Sequence, residues 1–298
     1  MSDKYLIINA DDFGMCHSQN VAIMDLLQSG AITSSTIMAP CAWAPEAIAF
    51  AKAHPELAIG LHLTTTCEWG RYRWEPVNKE HYSTLIDEEG FMWHESDQFE
   101  KNASEEDADA EIRAQLAKVR RLGFEPSHLD NHMGSLYGIE TGRFELLGLV
   151  FRLAGENGLP FRFPTKFTDE QFTNKMLDIK VPKEMVYMLL DQIKAMAEES
   201  HVPVLDYLMP GDWAGPQNDS YEDFREYLFE LYRNIPEGIT ETYIHPASES
   251  EELKNITGAW HRRVWEYRLF KDPATKQHIE SLGIRLINYR DLKRMRGY

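Results

Sequence analysis

Cysteine is scarce in this chain: Cys16, Cys41 and Cys67 are the only three in 298 residues. Their number is odd and their spacing fits no zinc motif, so neither a disulfide framework nor a thiolate metal cage is expected, and the thiols are read as reduced. Positive charge is also short, with 31 Lys and Arg against 48 Asp and Glu and a formal net charge of −17. A nucleic-acid backbone or an anionic membrane surface would be repelled, which excludes both as partners and favours a neutral or weakly charged substrate. No apolar run approaches the ~20 residues of a membrane-spanning helix, and the start "MSDKYLIINADD" lacks the apolar stretch of a signal segment, so a cytoplasmic location is expected. Pro/Gly/Ser-rich linkers, internal repeats and low-complexity segments are missing too, and residues 1–298 are read as a single domain.

What the chain does have is 43% hydrophobic residues, enough for a large core, arranged as short apolar runs alternating with segments of helical period. That is the pattern of parallel strands joined by crossover helices, so the fold class is α/β. "LIINADD", "ITSSTIMAP", "LAIGLHL", "PSHLDNH", "LPFRFP", "VPVLDYL", "ITETYIHP" and "GIRLINY" are the strand candidates. Between them, helices are expected after Ser18 as cap, around Pro45 to His54, and near residues 140–157, 183–198, 220–233 and 256–282. "SEEDADAEIRAQLAKVRRLG" carries a capping box, Ser104 with Asp107, and stops at Gly123. The seven or eight strand-and-helix units fit one closed or nearly closed (β/α) barrel. The alternation lapses only at about residues 67–102, an insertion rich in aromatic side chains.

Polar residues gather where such strands end. Asp11 and Asp12 close the first, His62 the third, His128, Asp130 and His132 lie along the fourth, and His245 ends "YIH". In barrels the carboxyl ends of the strands converge on one mouth, so residues distant in sequence meet there. Two adjacent carboxylates relieve their repulsion by holding a proton or a cation, and with imidazoles nearby a divalent metal ion is the simpler answer. One carboxylate and two imidazoles leave coordination positions open, as catalysis requires. One aspartate would then bind the ion and the other stay free as a base. His128 and His132 would share a face with Asp130 if "HLDNH" were extended throughout, whereas a turn at Asn131 would bring only one of the two histidines to the ion. His128 and Asp130 thus stay open as ligands or as partners behind the ligands.

The segments "IINADDFG", "ITSSTIM", "AIGLHLT", "PSHLDNH", "YIHPA" and "GIRLINYRDL", in this order, resemble the YdjC-like carbohydrate deacetylases. The resemblance implies a variant (β/α) barrel similar to that of the polysaccharide deacetylases, with one divalent ion, Mg or Zn. It further implies Asp12, His62 and His132 as ligands, Asp11 as general base and His245 as the acid that protonates the leaving amine. The substrate expected from it is an N-acetylated amino sugar or short oligosaccharide. The chain continues "HLDNH" with "MGSLYG", Met133 to Gly138, where many members carry further histidines, so chitobiose specificity does not follow.

The aromatic insertion suits a sugar site, since indole rings offer flat apolar faces to pyranoses; Trp69, Trp74 and Trp93 are candidates, with Trp213 from "MPGDWAGPQ". Packing within the insertion and a homodimer interface are the competing readings of these rings. "WHRRVWEYRLF", Trp260 to Phe270, is read as an outer helix whose arginines make surface ion pairs. A metal-dependent hydrolase of a phosphoester or cyclic amide, and a sugar-binding relative without turnover, are the alternative functions.

Overall fold

The computed structural model describes residues 3–172 and 183–298. Its centre is β1 (Lys4–Phe13), whose apolar residues Leu6, Ile7 and Ile8 are buried whichever way they point. The chain then runs through α1 (His17–Gln28), β2 (Ser34–Ile37), α2 (Ala44–Ala53), β3 (Ala58–Leu63), α3 (Ser96–Asn102), α4 (Glu105–Arg121), β4 (Leu129–Asn131), α5 (Glu145–Asn157) and α6 (Lys183–Glu199). It continues through β5 (Tyr207–Leu208), α7 (Tyr221–Arg233), β6 (Gly238–Ile244), α8 (Glu251–Ile256), α9 (Trp260–Lys271), α10 (Pro273–Ser281), β7 (Ile284–Leu286) and α11 (Tyr289–Met295).

Among the described residues the seven strands pair in parallel, in the order β4-β3-β2-β1-β6-β5, with β7 beside the first residues of β1. The two outer strands are bridged by residues 160–164. Arg162 N donates to Leu129 O, Phe161 N to Pro203 O, and Leu205 N to Phe163 O. "LPFRFP" and most of "VPVLDYL", expected as strands, therefore line the barrel wall as isolated bridges. Pro160, Pro164 and Pro203 lack the N–H groups that a continuous ladder needs.

Side-chain alternation sorts the layers. Leu6, Ile8 and Ala10 join the main core under the helices, whereas Ile7 packs with Leu205, Leu208, Ile239 and, from α11, Tyr289 and Leu292. This second cluster closes the end of the barrel where the strands begin. Beyond it the buried residues turn polar: Asn9, Asp11, Thr36, His62, Asp130, Arg162 and Glu241 are all nearly inaccessible.

Three local expectations need correction. Ser18 lies inside α1, which starts after Cys16 without a side-chain cap. Ser104 Oγ does accept from Asp107 N, but the Asp107 carboxylate turns to Thr84, whose N and Oγ1 it accepts at 2.9 and 2.7 Å, so the box is half made. The segment 256–282 is broken at Asp272, extended in backbone as the residue before Pro273 and itself the cap of α10.

Candidate active site

The register of β1 against β2 shifts between Ala10 and Phe13, and Asp12 sits in the left-handed region at φ 61°. Aspartate tolerates that conformation better than most residues. The twist separates two neighbouring carboxylates that a regular strand would also send to opposite faces, and it gives each a different cation. Asp11 receives both arms of Arg162, at 2.6 and 2.7 Å, and the Asn9 amide at 2.8 Å. Asp12 Oδ2 accepts from Arg263 Nη1 at 3.0 Å, while its Oδ1 is buried with no hydrogen-bond partner.

Two imidazoles face that orphaned oxygen. His62 Nε2 stands 3.5 Å and His132 Nδ1 3.4 Å from Asp12 Oδ1, and the two nitrogens are 3.3 Å apart. Each ring is held from behind by a carboxylate. Asp130 Oδ1 lies 2.7 Å from His62 Nδ1, and Glu68 Oε2 lies 2.8 Å from His132 Nε2. A carboxylate can only accept, so the outer nitrogens carry ring protons, and in the neutral rings the lone pairs point inward.

Three donors about 3.3–3.5 Å apart match the spacing of ligands on one ion with bonds of ~2.0–2.2 Å at near-tetrahedral angles. Asp12, His62 and His132 could thus hold a divalent metal ion. Oδ1, buried without a hydrogen bond and faced by the two imidazoles, fits a ligand position. Asp11, His62 and Asp130 also lie close together, but Arg162 already fills the cationic place between their carboxylates, 2.9 Å from Asp130 and 2.6 Å from Glu241.

The electrostatics agree. Burial opposes ionisation of Asp11, yet Arg162 outweighs it and holds the group at about 2. Burial likewise disfavours charge on His62 and His132, but Asp130 raises the first to about 10 and Glu68 the second to about 9. Without an ion, protons supply the positive charge that the carboxylates call for. His245 goes the other way, its pKa pushed down to about 4 by burial, which the Asp12 carboxylate only partly offsets.

The other expected residues are dispersed. His128 is not among the inward-facing donors. It stacks on Tyr289 with ring centroids 3.7 Å apart, bonds Ser127, and lies against Gly60, where a Cβ would come within 2.7 Å of the imidazole. Asp130 stands behind His62 and is further held by Thr36. His245 has a buried Nδ1 without a partner and packs edge-on to Trp213 at 5.2 Å. Trp213 is partly exposed beside it, Trp69 lies 5.7 Å from the Arg263 guanidinium, and buried Trp74 is 6.1 Å from the His132 ring. Trp93 faces elsewhere, donating to Thr84 O and packing on the main core.

The arginines of α9 are a correction. Arg262 and Arg263 are buried, Arg263 on Asp12 and Gln19, Arg262 against Trp213 and Glu266. The helix leans over the barrel mouth, so these side chains complete the site. Arg162 and Glu68 were missed altogether. A lone arginine between two phenylalanines in "PFRFP" was the available signal for the first; Glu68 offered none.

The family model described as YdjC-like protein matches residues 5–281. The chain belongs to the YdjC-like family. Within that family it is 30% identical over 295 residues to a protein of Enterococcus faecalis named carbohydrate deacetylase, covering 98% of this chain and 99% of the relative. It is 28% identical over 294 residues to a chitooligosaccharide deacetylase of Yersinia enterocolitica, covering 97% and 99%. A crystal structure from Enterococcus faecalis V583, described as a cellobiose-phosphate cleavage protein, superposes with a TM-score of 0.73 at 28% identity, covering 98% and 99%. Among the described residues no helix is long and apolar enough to cross a membrane.

Proposed function

We propose that this YdjC-like chain is a metal-dependent carbohydrate deacetylase that hydrolyses the N-acetyl group of an amino sugar or short oligosaccharide. The observation that carries the reading is the triangle of inward-facing donors on Asp12, His62 and His132, with Asp12 Oδ1 unpartnered at its corner. The deacetylase names of the full-length relatives support the bond and the substrate class.

Asp12, His62 and His132 would hold a divalent ion, Mg or Zn, which would supply a Lewis acid and lower the pKa of a neighbouring water, the activation that a base as weak as Asp11 requires. Asp11, kept ionised and fixed by Arg162, accepts the proton of the attacking water. His245 donates to the departing nitrogen; with its pKa near 4 it is a strong donor once charged, and it passes on a proton gained within the cycle. The products are acetate and the free amine. Trp69 and Trp213, flanking Arg263 at 5.7 and 5.9 Å, are the candidate sugar platforms, with Trp74 behind His132. A two-metal phosphoesterase is disfavoured because Arg162 occupies the second acidic cluster.

Acetate release from a panel of N-acetylated amino sugars, measured with and without chelator, tests the proposal. Chelator-sensitive release supports it. Sugar binding without acetate would favour a non-catalytic relative, and release of phosphate or ring-opened amide instead would redirect it to another hydrolase.

A further inference from the structure

His62 and His132 are held in the same manner but by unequal supports. Asp130 comes from β4, next to His62 on β3, and is itself fixed by Thr36 and Arg162. Glu68 comes from the start of the insertion that follows β3, and its carboxylate has, among the described residues, no hydrogen-bond partner other than His132. His132 needs such a partner more than His62 does. It lies in the turn after β4, just ahead of Met133 at φ 54° and Gly134 at φ 67°, and not in a paired strand.

The chemistry of the ring gives Glu68 a definite effect. An imidazole free to choose its tautomer or to flip about its Cβ–Cγ bond can offer Nδ1 or Nε2 to the centre. With Glu68 accepting from Nε2 at 2.8 Å, the neutral ring keeps its lone pair on Nδ1, 3.4 Å from Asp12 Oδ1 and 3.3 Å from His62 Nε2. We propose that Glu68 is a positioning residue of the metal centre, which makes His132 a ligand through Nδ1 and ties the first turn of the aromatic insertion to metal loading. The inference rests on the metal-centre reading above.

Metal titration of the full chain, stripped with chelator, tests it, using Zn²⁺ for affinity and Co²⁺ absorption for coordination geometry. Wild type, Glu68→Ala, Glu68→Gln and His62→Ala are compared. Glu68→Ala is expected to weaken Zn²⁺ binding about 10–100-fold and alter the Co²⁺ bands, with Glu68→Gln, which keeps an acceptor without the charge, falling between it and wild type. Excess metal should restore turnover in both variants. Wild-type affinity with an unchanged Co²⁺ spectrum in Glu68→Ala overturns the proposal, as does turnover that excess metal fails to restore, which would give Glu68 a direct role on substrate. Should Glu68→Ala fail to fold, wild-type affinity in Glu68→Gln overturns it. If instead wild type binds no ion, or His62→Ala binds as tightly as wild type, the metal-centre reading itself fails.

Discussion

Asp11 and Asp12 are adjacent in the chain yet answer to different arginines, Arg162 holding both oxygens of the first and Arg263 one oxygen of the second. The two groups differ in what remains free. Asp11 has no oxygen without a donor, whereas Asp12 Oδ1 has none. On the proposed reading the first, held ionised, takes the proton of the attacking water, and the second keeps an oxygen for the ion.

Asp11→Asn should therefore lower turnover by about 10²–10⁴-fold while metal content stays near that of wild type. Steady-state acetate release together with metal analysis of the purified variant checks it. Loss of the metal would make Asp11 a ligand.

Arg162 reaches three buried carboxylates at once, those of Asp11, Asp130 and Glu241. Arg162→Met removes the guanidinium that the three share and should destabilise the fold by about 3–5 kcal/mol, read from denaturant unfolding at neutral pH. A change within experimental error would mean that the cluster shares protons and does not depend on the guanidinium.

His128 and His132 should behave differently although four residues apart. His132→Gln is expected to lose metal affinity; His128→Gln should keep it and lose only the stack on Tyr289 and the bond to Ser127, about 0.5–1.5 kcal/mol for the ring pair. Metal titration of both variants separates them, and equal losses would place His128 among the ligands.

The metal-free protein should lose stability as pH rises. Folding raises His62 to about 10 and His132 to about 9 from the ordinary 6.5, so the folded state binds the extra protons. The resulting stabilisation is complete below the unfolded value and disappears as pH climbs through the folded values. Melting curves from about pH 6 to about pH 10 should fall for chelated protein and stay flatter for loaded protein, in which the ion replaces those protons. Parallel curves would contradict the ligand assignment.

Much of this site was legible because strand ends are legible. Asp11, Asp12 and His62 stand where apolar runs stop, and parallel strands must bring such ends together. The choice between His128 and His132 was not legible, since the turn after Asn131 depends on Met133 and Gly134 taking positive φ. Arg263 escaped because a helix with basic residues on several faces reads as solvated; only the lean of α9 over the mouth buries it. The expected strand at residues 159–164 failed for a local reason, its prolines, even though its neighbours do pair with it.

Crystals loaded with a divalent ion and measured at its absorption edge test the central claim most directly. The account predicts one anomalous peak per chain, ~2.0–2.2 Å from Asp12 Oδ1, His62 Nε2 and His132 Nδ1. A peak lodged instead between Asp11 and Asp130, or no peak within reach of these three atoms, would contradict it.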